Sequence, residues 1–255
     1  MKLYIFGSCS GTEPVENRHH TAFAVELNGR IYWFDAGENC SYTAHLMGVD
    51  LLSVSDVFIS HPHMDHVGGL GNLLWNIRKL SIVNKSLPRY GDITLYMPNE
   101  DTFEGIMTVL RATEGGYKTD YQTLFRRISD GVLLEDGSVR VSAVHNRHLR
   151  QSEGPWQSFS FLIEAEGKRI VYSGDVKDLD DIAPFLENGC DLLLMETGHH
   201  DPVTVCERLK GGDVGRICFL HHGRRILSDF EGMLCACRKI FDDVHICNDG
   251  DVFDL

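Results

Sequence analysis

The opening apolar run, Leu3-Tyr4-Ile5-Phe6, has the length of a β-strand and gives way to a glycine-containing loop over residues 7–18. Residues 22–27 and 31–34 flank Asn28-Gly29, a dipeptide whose tolerance of positive φ makes it a hairpin turn. The second of these strands ends on the acid of Asp35-Ala36-Gly37-Glu38. The pattern then predicts a helix over 43–47, a short buried strand over 57–59 and a helix over 70–80. Residues 94–97 read as a strand stopped by Pro98, and 101–110 as a helix. Residues 112–127, of mixed polarity around Gly115-Gly116, are predicted to form a mobile segment facing a substrate. A strand over 139–144 precedes a second hairpin made of 158–165 and 169–172. Helices over 180–186, 203–209 and 228–240 then alternate with strands over 192–195, 217–220 and 244–247. Hairpins followed by interleaved helices and strands imply sheets covered by helices, and the absence of repeats or linkers implies one domain over 1–255.

Composition narrows the function. A chain of 255 residues is long enough for one large core or two small ones. The net charge of −13 argues against a broad electrostatic grip on nucleic acid, while leaving room for a small phosphorylated substrate. Eight cysteines lie mostly in apolar segments with no Cys-x-x-Cys, which suits buried reduced thiols in a cytoplasmic protein. No basic segment followed by a long apolar run opens the chain, so neither a signal peptide nor a membrane partner is expected.

The chemistry concentrates in His61-Pro62-His63-Met64-Asp65-His66. So many polar lone pairs beside an apolar strand are costly unless something binds them, and divalent metal ions are the natural occupants. In an extended segment residues i and i+2 face the same way, so His61 and His63 would grip one ion, with Asp65 on that side as the chain turns. His66 falls out of the alternation and would address a second ion. Pro62 opposes an early helix, and a helix starting near Val67 would place positive backbone charge behind Asp65. Further candidates stand at later strand ends: His145 or His148, Asp175, and His221 or His222.

With these residues in place, the chain resembles the metallo-β-lactamase superfamily over essentially its whole length. The His-x-His-x-Asp-His signature matches at His61, His63, Asp65 and His66. The resemblance implies an α/β fold, a four-layer αββα sandwich. It implies His61, His63 and His148 on one ion, Asp65, His66 and His221 on the other, and Asp175 bridging. His148 keeps the family's strand-to-ligand distance and His221 directly follows its strand; His145 and His222 are the alternatives. Asp35 matches the superfamily's earlier aspartate and would hydrogen-bond a ligand histidine. Gly7-Ser8-Cys9-Ser10-Gly11, Arg18 and Phe34-Asp35-Ala36-Gly37-Glu38 are most similar to the ribonuclease Z and phosphodiesterase branch. The branch's His-Glu-Ala-Thr segment falls at Met195-Glu196-Thr197-Gly198, without its histidine, and the glycine- and proline-rich arm is missing.

The expected activity is that of a dinuclear metal-dependent hydrolase, a phosphodiesterase whose nucleophile is a hydroxide shared by the two ions, with a water pKa lowered to ~7. Zinc is the first candidate, and manganese or iron also suit histidine and carboxylate ligands. Asp65 would orient the hydroxide, and Glu196 with His199 or His200 would supply a proton to the leaving group. Arg147, Arg150 and Arg224 would hold a substrate phosphate. The substrate would be a small molecule or short phosphodiester, and relatives suggest a homodimer. Hydrolysis of a lactone, thioester or β-lactam is the nearest alternative, and a metal-dependent binding or sensing protein without turnover is the alternative from a different class.

Overall fold

The computed structural model describes residues 1–149 and 154–255. Among these, the strands are β1 Lys2–Gly7, β2 Ala22–Leu27, β3 Arg30–Phe34, β4 Val54–Phe58, β5 Ile93–Met97, β6 Thr123–Arg127, β7 Gly131–Glu135, β8 Val139–His145, β9 Phe159–Ala165, β10 Lys168–Tyr172, β11 Cys190–Thr197, β12 Val214–His222, β13 Val244–Ile246 and β14 Val252–Asp254. The helices are α1 Cys40–Leu46, α2 Met64–Val67, α3 Leu70–Asn84, α4 Glu100–Arg111, α5 Ala183–Leu186, α6 Pro202–Leu209, α7 Arg224–Ser228 and α8 Phe230–Arg238. The chain falls into two compact units, the first built from residues 1–7, 15–128 and 249–255, the second from 8–14 and 129–248. No helix among the described residues is long and apolar enough to cross a membrane.

The first unit holds a seven-stranded sheet in the order β14-β1-β2-β3-β4-β5-β6. Its β2–β3 hairpin turns at Asn28 and Gly29, whose φ values of 52° and 78° are the left-handed pair that such a turn requires. From β3 onward the strands run parallel, because each is followed by a helical crossover. One face packs Phe6, Trp33, Val57 and Leu95 against Leu70, Leu73, Leu74 and Ile77 of α3. The opposite face carries a ladder of stacked rings, Phe23–Phe34–Phe58–Tyr96, with centroids 5.0, 4.9 and 4.6 Å apart. Each such buried ring contributes about 1.5–3 kcal/mol by leaving water, plus the packing of its neighbours.

The second unit holds the other seven-stranded sheet, β13-β12-β11-β10-β9-β8-β7. Strands β7 to β10 form an antiparallel meander, and β10 to β13 run parallel. Its core joins Val171, Leu193, Met195, Ile217 and Phe219 to Val205 and Cys206 of α6 and Cys237 of α8. The eight cysteines are free thiols, all buried except Cys235.

Several elements differ from the sequence expectation. Residues 112–127 are anchored: Tyr117 and Tyr121 are buried, the Tyr117 hydroxyl donates to the Leu74 carbonyl, and β6 pairs with β5. Gly115 and Gly116, at φ 78° and 66°, supply the turn that lets both tyrosines point inward. The helix expected over 228–240 is α8, which starts at Phe230 because Asp229 accepts from the Gly232 N–H and caps it, and the short α7 before it was not expected. The helix after the histidine cluster begins at Met64, so Asp65 sits within its first turn. The two edge strands β7 and β14 went unread, since one is largely exposed and the other has three residues.

Phe34 lies mid-ladder and fully buried. Phe34→Ala is expected to cost about 3–5 kcal/mol, read as a lowered urea midpoint at unchanged m-value; a loss under about 1 kcal/mol would show that the ladder is not a core element.

Candidate metal centre

In the first unit the site is built on the adjacent parallel ends of β3 and β4. Asp35 leaves β3 at φ 51°, a left-handed conformation uncommon outside glycine, and is locked there by its N–H donating to the Phe58 carbonyl (2.9 Å) and by Trp33 Nε1 donating to its own carbonyl (2.7 Å). Its buried carboxylate accepts from the Ser60 N–H at Oδ1 and the Ser60 hydroxyl at Oδ2, both at 2.7 Å, and contacts His66 Nδ1 at 2.8 Å. A carboxylate oxygen facing an imidazole nitrogen requires that nitrogen to carry the proton, so His66 is protonated at Nδ1. Ser60 has spent its hydrogen on Asp35, so the 3.0 Å contact from its oxygen to His61 Nδ1 makes that nitrogen a donor as well. Both histidines thus carry their lone pair at Nε2, the tautomer a metal ligand needs.

The cluster is tightly placed. Pro62 and His63 remain extended, with His63 capping α2 at φ −65° and ψ 148°. The ring of His61 lies 4.1 Å from that of His66 and 4.6 Å from that of His63. The His66 carbonyl accepts from the Ala36 N–H, and the Ala36 carbonyl from the Gly69 N–H, both at 2.7 Å. A Cβ on Gly69 would run into the Gly37 carbonyl, so only glycine allows this approach. Asp65 Oδ2 stands 3.4 Å from His66 Nε2.

In the second unit β8, β10, β11 and β12 all point the same way, and the candidates follow their C-terminal ends. Asp175 is buried, with Oδ1 3.3 Å from His221 Nε2 and Oδ2 3.7 Å from His148 Nε2. Glu196 is buried behind them, 3.1 Å from His199 Nδ1 and 3.6 Å from His221 Nδ1. Burial alone would raise its pKa, but the imidazoles of His199 and His221 more than offset this and hold the carboxyl at about 2. The Glu196 contact in turn raises the pKa of His199, whose side chain is 48 % exposed. His200 donates from Nε2 to the Val176 carbonyl at 2.9 Å.

The alternatives separate cleanly within this unit. His145 turns away to Asp130 (2.7 Å) and stacks on Trp156, with centroids 4.1 Å apart. His222 has both nitrogens engaged, Nε2 by the Cys247 carbonyl (2.7 Å) and Nδ1 by Thr197 (3.2 Å). His148 and His221 are the members of each pair that face Asp175. Arg147 donates to Asp181 (2.5 Å) and Arg224 to Glu13 (2.6 Å), so each is ion-paired with a carboxylate. Arg150 lies outside the described residues.

These spacings suit metal coordination. Two ligands at ~2.1 Å from a tetrahedral ion lie ~3.4 Å apart, close to the 3.3, 3.4 and 3.7 Å separations of His221–Asp175, Asp65–His66 and His148–Asp175. Asp175 offers different oxygens to different histidines, as a carboxylate spanning two ions would. Two further groups of potential donors share these residues: His148, Asp175 and His199, and Glu196, His199 and His221. The donors are nitrogen and oxygen only, which fits zinc, manganese or iron.

Four residues of this framework carried no sequence signal of their own. Ser60 fixes the His61 tautomer and helps hold the Asp35 carboxylate that fixes that of His66, from one position before the cluster. Asn146 and Ser173 lie under the strand ends, and Gly198 packs flat on His221, where an added Cβ would come within 2.6 Å of Nδ1.

Comparison with known proteins agrees with this architecture. The ribonuclease Z of Methanothermobacter thermautotrophicus is 22 % identical over 306 aligned positions, covering 98 % of this chain and 95 % of the relative. Among solved structures, the metallo-β-lactamase fold protein YhfI of Bacillus subtilis superposes with a TM-score of 0.77 at 18 % identity, covering 99 % of this chain and 98 % of that one. The short form of human tRNase Z gives 0.72 at 17 % identity, covering 100 % and 99 %. Two mixed sheets flanked by helices are the metallo-β-lactamase α/β sandwich fold, and the protein is a metal-dependent hydrolase of that superfamily, near ribonuclease Z. Within it, the chain belongs to the family described as Anti-Pycsar protein Apyc1, whose family model matches residues 1–205.

Asp35→Asn keeps the shape but replaces an acceptor oxygen with an N–H₂ group. It is expected to weaken divalent-metal affinity by about 10–100-fold, measured by competition with a chromophoric chelator; unchanged affinity would remove Asp35 from the metal framework. Gly198→Ala is expected to displace the His221 ring and lower metal affinity, with the apo-protein melting temperature falling by a few degrees; wild-type affinity in this variant would show that the ring has room to move.

Proposed function

We infer that the protein is a phosphodiesterase that uses two divalent ions, zinc first among the candidates, on a small or cyclic phosphodiester. The observation that carries this reading is the two-sided aspartate Asp175, whose separate oxygens face His221 and His148 at ligand spacing. The ligand set His61, His63, Asp65, His66, His148, Asp175 and His221 follows the superfamily pattern. It is supported by the Nε2 tautomers of His61 and His66 and by the nitrogen–oxygen donor chemistry. A relative named as a ribonuclease favours phosphodiester chemistry, while the net charge of −13 favours a small substrate over bulk nucleic acid. The free thiols suit a reducing cytoplasm.

Divalent ions held by such donors polarise a phosphoryl oxygen and make a water-derived nucleophile available near neutral pH. The chain's own residues do the rest. Asp65 orients the nucleophile from the first turn of α2. His199 has Nδ1 engaged by Glu196, which leaves Nε2 on the exposed edge to hand a proton to a leaving alkoxide. It stands three residues after Glu196 and would take the part of the histidine absent from the ribonuclease Z segment. His200, committed to the Val176 carbonyl, braces the same loop.

Purified protein loaded with zinc or manganese is expected to turn over bis-p-nitrophenyl phosphate and members of a cyclic nucleotide panel, with activity lost on chelation and restored by metal. Turnover of a lactone or thioester in place of these would overturn the phosphodiester reading. His199→Ala is expected to lower kcat on a cyclic nucleotide by about 10²–10⁴-fold while sparing bis-p-nitrophenyl phosphate, whose phenolate leaves without a proton. Equal losses on both substrates would exclude the proton-donor role.

A further inference from the structure

His148 stands three residues beyond the end of β8, and the first residue after that strand is buried. Asn146 is 1 % exposed and follows directly on the last residue of β8. Its N–H donates to the Ser158 carbonyl at 3.0 Å, which closes the base of the loop. Its side-chain oxygen accepts twice, from the His148 N–H at 3.2 Å and from the Ser158 hydroxyl at 2.6 Å, so both lone pairs are used. Its side-chain N–H₂ donates to the Ser160 hydroxyl at 3.1 Å. Ser160 passes the connection on, donating to the Ser173 carbonyl at 2.5 Å. The Ser173 hydroxyl then donates to the Gly174 carbonyl (2.6 Å) and accepts from the Glu196 N–H (3.0 Å).

A chain of buried hydrogen bonds therefore runs from the backbone of His148, through Asn146, Ser160 and Ser173, to the peptide that precedes Asp175 and the peptide that precedes Glu196. Ser158, Ser160 and Ser173 are as buried as Asn146. Polar groups this far from water hold their geometry because each alternative leaves a donor or acceptor unpaired. Four serine or asparagine side chains under three strand ends are unnecessary for packing, since alanine or valine would fill the same sheet positions without a hydrogen-bonding requirement.

We propose that Asn146 is a positioning residue, which sets His148 against Asp175 and Glu196 through the Ser160–Ser173 chain. The proposal rests on the reading that His148 ligates a divalent ion. Asn146 touches neither substrate nor metal; it acts by holding the His148 backbone where the imidazole can meet Asp175.

A double-mutant cycle with His148 tests it. Divalent-metal affinity, measured with zinc alone against a chromophoric chelator, is compared for wild type, Asn146→Ala, His148→Ala and the double variant, with the melting temperature of each apo-protein recorded. In the wild-type background Asn146→Ala is expected to weaken one class of zinc site by about 10–100-fold, the usual effect of removing a group that orients a ligand. In the His148→Ala background it is expected to change affinity by less than about 2-fold, the limit of additivity error, while the melting-temperature shift is the same in both backgrounds. Equal affinity losses in the two backgrounds, or no loss in either, would overturn the positioning role. Should Asn146→Ala not yield folded protein, Ser160→Ala in the same cycle decides: it breaks the chain between Asn146 and Ser173 and leaves the loop closure intact. If His148→Ala binds zinc as wild type does, the ligand reading of His148 fails, and the proposal fails with it for a separately visible reason.

Discussion

A buried carboxylate must be met by donors, and in the first unit that demand organises everything around it. Asp35 is fully enclosed, turned into a left-handed conformation at the end of β3, and satisfied by Ser60 and His66. Leaving such a charge unpaired would cost about 3–5 kcal/mol, so the segment after β4 has one arrangement open to it. Ser60 must sit against Asp35, His61 must turn its Nδ1 to Ser60, and His66 must turn its Nδ1 to the carboxylate. The consequence is chemical: two imidazoles are presented with their lone pairs outward before any ligand arrives. Preorganisation of this kind removes part of the ordering cost of metal binding.

The second unit meets the same demand by a different route. Its acids, Asp175 and Glu196, are ringed by imidazoles, and the backbone beneath them is tied by serines and an asparagine. Glu196 is held ionised against the penalty of burial because His199 and His221 lie beside it. That arrangement keeps His221 from rotating and leaves Nε2 facing Asp175. Gly198 shares the task by leaving room for the ring, where a Cβ would meet His221 Nδ1.

Much of the fold was legible because hydrophobic period and turn chemistry agreed. The β2–β3 hairpin follows from Asn28-Gly29 between two alternating runs, and the parallel strands β10 to β12 from short apolar runs separated by helices. The misreadings share one cause. Residues 112–127 looked mobile because their polarity is mixed, yet Tyr117 and Tyr121 bury their rings while their neighbours stay in water. Asp229 read as the second residue of its helix, and only its bond to the Gly232 N–H shows that it is the cap of α8. Local pattern registers average polarity, whereas burial is decided residue by residue by contacts distant in sequence.

The amino-acid order alone determined which residues are candidates for metal chemistry, since histidines and aspartates spaced at two along an extended segment and placed after apolar strands have few other uses. Tertiary structure decided which of two neighbours faces Asp175. His145 and His148 are equivalent as letters, but one stacks on Trp156 and pairs with Asp130 while the other meets Asp175. His221 and His222 divide the same way, because His221 turns out of the strand at φ 54° and faces Asp175 while His222 is held by Cys247 and Thr197. The tautomers of His61 and His66, the commitment of Arg147 and Arg224 to carboxylates, and the chain through Asn146 were invisible for the same reason: each depends on a hydrogen-bond partner that the fold, and not the spacing, supplies.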